Sequence, residues 1–181
     1  MRDLVRVLLI IIGLALIVVG QLIATYLLPY PFSNLNVIFF ALTLYLIFRE
    51  SGIVVYLSLG VHFLVELYTV SPFGIVLYSA TVSFLLGYWM YRSIFTNKSW
   101  FSALALSSLM LTMYRLLYIL LGYIFELFSN QPVFLGINIL RSFAYEIIIT
   151  TFAITISVLV VNKISRRHNP LVVSNQLFKP R

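Results

Sequence analysis

Five residues able to do acid–base, ionic or metal chemistry stand inside long apolar runs: His62, Glu66, Arg115, Arg141 and Glu146. An unpaired ion is costly in an apolar medium, so such residues face a partner, a cavity or a water-filled path. His62 and Glu66 are four residues apart and share one helix face, a spacing from which two metal ligands can project. Glu146 offers a third ligand at similar depth, but there is no fourth, and the other histidine, His168, falls among the basic residues near the C-terminus. No metal site is therefore expected. Arg141 and Glu146 are five apart, about 140° around a helix, so each must look to another helix for a counter-ion. Glu66 and Arg115 are the available partners. The expected outcome is a clasp of four mutually neutralising ions on three helices; the alternative is a polar pocket for a ligand, or a proton or ion path.

Catalytic patterns are absent. The chain contains no Gly-x-Ser-x-Gly elbow, no His-Glu-x-x-His and no P-loop. Without cysteine it has no disulfide framework, thiolate metal site or cysteine nucleophile. Ser102, Ala103, Ser107 and Ser108, and the pair Ser83 and Gly87, are small residues at spacings that suit close helix packing. A catalytic serine among them would need a base, and His62 is placed much deeper. The expectation is a protein without catalytic residues or a cofactor, and not an enzyme.

The elements that must carry these residues follow from composition. Of the 181 residues 62% are hydrophobic and only 9% charged, against roughly 45–50% and 25% in a soluble domain. Too little polar surface remains to cover a water-soluble globule, so the chain reads as an all-α integral membrane protein. A spanning helix needs about 20 apolar residues. Six stretches qualify or nearly do: 5–28, 34–48, 52–69, 74–94, 100–125 and 134–162. The apolar run behind Met1 is too long for a cleavable signal core and reads as a retained first span. Breaks between the runs carry turn and cap residues, among them Pro29, Pro31, Ser33 as an N-cap candidate, Ser71 and Pro72.

Charge fixes the orientation of this map. Arg2, Arg6, Arg49, Arg92, Lys98, Lys163, Arg166, Arg167, Lys179 and Arg181 fall on one side, and the loops near 29–33, 70–73 and 126–133 hold no Lys or Arg. Cationic loops stay in the cytoplasm, which predicts six transmembrane helices with both termini cytoplasmic. The net charge of +7 is then explained by position, and nucleic acid is not an expected partner. Residues 1–163 form a single six-span domain, and 164–181 a basic cytoplasmic tail laid against anionic lipid headgroups. At about 1.5 Å per residue, Glu66, Arg115 and Arg141 share the outer half of the bilayer, with Glu146 and His62 nearer its middle.

The stretch from Gly52 to Tyr91 is a helical hairpin. Ser71-Pro72 breaks the first helix, because proline lacks an amide donor and restrains its predecessor. Within it, Gly60-Val-His-Phe-Leu-Val-Glu66, followed by Ser71, Pro72 and Gly74, resembles the signature of the MreD family of rod-shape determining proteins. There a Gly-rich third helix ends in an acidic residue, commonly Asp where this chain has Glu66, before a Ser-Pro-Leu-Gly-like turn. The Pro-rich loop upstream, the short second span and the Arg49-Glu50-Ser51-Gly52 junction look similar too. Val61 and His62 depart from the family's usual Gly and Leu, and the resemblance covers about 30–95. It implies a non-enzymatic scaffold of the cell-elongation machinery in the bacterial cytoplasmic membrane. The partners it implies are MreC, MreB, RodA and a penicillin-binding transpeptidase. Its fold kinship with the substrate-binding subunits of energy-coupling-factor vitamin transporters implies an alternative function of that kind. Against that alternative, the first span lacks the Ala-x-x-x-Ala pair such subunits use to dock their transporter.

Overall fold

A 13-residue helix occupies the middle of the molecule. In this computed structural model, which describes residues 2–69, 71–95, 99–129 and 137–168, six α-helices and one short 3-10 turn are joined by irregular segments, with no strand among those residues. They are α1 (Arg2–Leu27), α2 (Val37–Arg49), α3 (Ile53–Glu66), α4 (Ile75–Ser93), α5 (Trp100–Ser129) and α6 (Ile137–His168), with the 3-10 turn at Phe32–Asn34. The central helix is α2, which packs against α1, α3, α5 and α6 and buries Ile38, Phe39, Leu42, Thr43, Leu46 and Ile47. Along the outside, α3, α4, α5 and α6 follow one another as packed neighbours.

Three helices are long and apolar enough to cross a membrane. Their apolar windows are Ile10–Leu27, Trp100–Phe128 and Ile139–Ile164, with mean hydropathies of 2.4, 1.7 and 2.1. By contrast α2 and α3 have 13 and 14 residues, about 20 Å of rise each against a hydrocarbon core of about 30 Å. The third expected span ends early because Glu66 closes α3, leaving 67–69 as a turn. At the other extreme, α6 continues to His168, so the first residues of the expected tail extend the helix. Residues 169–181 lie outside the described residues, as do 96–98 with Asn97 and Lys98.

Caps set the boundaries of α2. Asn36 holds the N-cap position in extended backbone, and its Oδ1 accepts from Phe39 N at 3.0 Å. The expected cap, Ser33, instead falls in the 3-10 turn. At the other end Glu50 adopts the left-handed conformation, φ 53°, and its amide closes on Leu46 O.

Small residues bring α4 close to α5. Ser83 Oγ donates to Met110 O at 2.5 Å, and a Cβ on Gly87 would lie 2.4 Å from Met110 Sδ. Gly60 serves α3 against α1 in the same way, with Leu14 Cδ1 3.2 Å from where its Cβ would be.

Candidate functional site: a buried polar layer beside the hairpin

Phe39, at the first turn of α2, meets Phe84 of α4 and Tyr114 of α5 at ring-centroid distances of 4.7 and 4.9 Å. His62 of α3 stands against the same three rings at 5.9–6.4 Å. Its Nδ1 lies 2.8 Å from Ser58 O, a distance at which that nitrogen carries the proton and donates. The ring is therefore held by its own helix and by an aromatic box, and it borders a polar cavity.

That cavity measures about 230 Å3 and is bordered by Gln21, Asn34, Asn36, His62, Arg115, Ser142 and Glu146 among others. Arg115 of α5 and Glu146 of α6 form an ion pair through Nη2 and Oε2. The other carboxylate oxygen of Glu146 accepts from Asn36 Nδ2 at 2.7 Å. Glu146 is 4% exposed, so this pairing on both oxygens is what makes its burial tolerable. The guanidinium lies 4.1 Å from the Phe143 ring centroid, 4.8 Å from Tyr114 and 5.8 Å from Tyr118. These aromatic faces stabilise a cation that has left water.

The irregular segment before α2 accounts for the rest of the layer. Asn36 N donates to Thr150 Oγ1 at 3.0 Å, and Val37 N to Gln21 Oε1 at 2.7 Å. Ser142 Oγ donates to Asn34 Oδ1 at 2.7 Å. Side chains of α1 and α6 thus satisfy half-buried backbone and side-chain groups of this segment. Irregular backbone within an apolar bundle is tolerated only under that condition.

Glu66 does not join the clasp expected for it. Its carboxylate is 4% exposed and turns to the start of α4, where Oε1 accepts from Gly74 N at 2.9 Å and Oε2 from Leu77 N at 2.6 Å. The positive end of the α4 dipole, rather than an arginine, is its counter-charge. Arg141 also stands apart. It is exposed on the outer face of α6, where Nη2 donates to Tyr145 Oη at 3.3 Å and the guanidinium sits 5.6 Å from that ring. A cation at a surface snorkels toward water and headgroups instead of needing a buried acid. The four-ion clasp therefore reduces to one ion pair, one capped carboxylate and one surface cation.

The hairpin motif is assembled as one device. Gly74 has φ 101°, which only glycine adopts without strain, and this conformation aims its amide at Glu66. Ile75 N closes on Pro72 O at 3.4 Å, and Thr69 Oγ1 donates to Glu66 O at 3.2 Å. His62 and Glu66 share a helix yet serve different partners, and among the described residues no three His, Asp or Glu gather into a metal site.

Sequence reasoning passed over Gln21, Asn34, Asn36 and Ser142. Their signal was present as neutral polar side chains in apolar surroundings, but they carry no charge to mark them. Taken together the layer pairs most of its donors with acceptors and holds one ion pair without net charge. In comparisons with family models, curated proteins and solved structures, no match was found.

Proposed function

We propose that the chain is a non-enzymatic membrane scaffold of the MreD type, spanning the bacterial cytoplasmic membrane six times with both termini inside. The observation that carries this reading is the hairpin. The residues that resemble the family signature, Glu66, Pro72 and Gly74, hold α3 and α4 together through a single set of contacts. A scaffold needs a rigid, correctly aimed corner, and a buried carboxylate on two amides supplies one. Partners follow from the same resemblance: MreC first, with MreB, RodA and a penicillin-binding transpeptidase in the same assembly.

The cavity beside His62 favours a second reading, a substrate-binding subunit of an energy-coupling-factor vitamin transporter. Its volume of about 230 Å3 is below the roughly 300–1,000 Å3 of drug-sized ligand sites. Its charged groups are also already paired with each other, which keeps this reading second.

Co-purification separates the two. The full chain, expressed with an MreC-type protein and the RodA–transpeptidase pair, is expected to retain them through detergent extraction, and Glu66→Ala to release them. A purified chain that captures none of these, yet carries a vitamin at one per molecule, overturns the scaffold.

A further inference from the structure

A second cavity, about 390 Å3, opens between the hairpin turn and α5. Ser71 from the turn and Arg115 from α5 line it, with walls from Val65, Val76, Tyr114 and Tyr118. Ser71 Oγ and Arg115 Nε are both shielded from solvent, and neither has a hydrogen-bond partner among the described residues. A buried donor left unpaired is destabilising. Two of them on one cavity define a site for an acceptor.

Charge decides what kind of acceptor. Arg115 is already neutralised by Glu146. Glu66, buried on the same hairpin, adds a negative charge balanced by the α4 amides and not by a second cation. A phosphate or carboxylate would meet no surplus positive charge to offset its desolvation. A neutral oxygen can take both donors without that cost. The tyrosine and valine walls suit an apolar body attached to it. In the six-span placement the turn after α3 lies at the outer edge of the hydrocarbon, the depth at which acyl chains join their glycerol.

We propose that this cavity takes the acyl-ester carbonyl of one phospholipid. Ser71 Oγ–H and Arg115 Nε–H donate to it, and the acyl stem runs along Val65, Val76 and Tyr118. The inference rests on the six-span placement and is independent of the scaffold role.

Nanodiscs of diester or diether phosphatidylcholine with identical chains test it, because the ether lipid keeps headgroup and chains but lacks the carbonyl. Native mass spectrometry of the full chain from mixed discs is expected to show the diester retained roughly five- to a hundredfold over the diether, the worth of two ordinary hydrogen bonds. Infrared spectra with a 13C-labelled ester are expected to show a low-frequency carbonyl band from the retained lipid. Ser71→Ala, a small change in a turn, removes one of the two donors and should clearly weaken both signals. Arg115→Lys, which keeps a cation for Glu146 but lacks Nε, should do the same. Equal retention of the two lipids by the wild type overturns the proposal, as does wild-type selectivity in Ser71→Ala; a cavity that holds only water gives equal retention. A wild type without ester selectivity but with partner capture intact sinks the lipid site alone, and a wild type with ester selectivity but no partner capture sinks the scaffold alone.

Discussion

Glu66 sits at the wrong end of its own helix and the right end of the next. A carboxylate in the last turn of α3 opposes that helix's dipole, yet the same group stabilises the start of α4. The other buried acid, Glu146, meets its needs differently, through Arg115 and Asn36. The two acids therefore predict different responses to mutation. Arg115→Met or Glu146→Leu each strands a charge, and each is expected to cost about 3–5 kcal/mol. The double variant should lose clearly less than the sum, because it strands neither ion. Reversible denaturation in mixed detergent micelles measures all three, and additive losses would show that the pair is not coupled. In the same assay Arg115→Met combined with Glu66→Ala should be additive, because Glu66 answers to α4.

At the scale of elements the hairpin and the α4–α5 seam depend on glycine for opposite reasons. Gly74 has a left-handed backbone but open space around its missing side chain, so Gly74→Ala is expected to cost about 1–2 kcal/mol through strain alone. Gly87 is ordinary helix, but an added Cβ would collide with Sδ, Cγ and Cε of the fully buried Met110. Gly87→Ala should cost about 1–3 kcal/mol through overpacking. Adding Met110→Ala should suppress the Gly87→Ala effect and leave Gly74→Ala unchanged. If Met110→Ala relieves both or neither, this division is wrong. Helix order and the hairpin were legible in the sequence, because the length of each apolar run and the breaks at Pro72 and Gly74 act locally. The partner of Glu66 was not. Pairing rules for ions point to arginines, whereas the carboxylate is answered by backbone amides, which every sequence position offers equally. Arg141 misled for a related reason: burial depends on which way a helix faces its neighbours, and five-residue spacing fixes only its angle to Glu146. Asn36 shows a third limit, since Ser33 and Asn36 are equivalent cap candidates until the 3-10 turn consumes one of them.

For the whole molecule, the shortness of α2 poses the central physical problem. A helix of about 20 Å exposed to lipid would leave its terminal backbone groups unpaired inside hydrocarbon. Placing α2 at the centre, packed against α1, α3, α5 and α6, buries one face of it and leaves the other half-covered. The Gln21, Asn36, Thr150 and Glu146 layer then replaces water at its N-terminal end. On this account the polar layer exists because the second helix is short. The proposed six-span placement would put that layer and the hairpin turn toward the outside. The chain has no cysteine, so single cysteines report topology without background. Tyr30→Cys and Phe73→Cys replace side chains 60% and 67% exposed at the hairpin end, and Ile94→Cys one 60% exposed at the opposite end. Cysteines 30 and 73 are expected to react with an impermeant maleimide added to intact cells, and cysteine 94 only after the membrane is permeabilised. Labelling of 94 in intact cells, or protection of 73, would reverse or break the six-span order, and with it the placement of the hairpin at the outer surface.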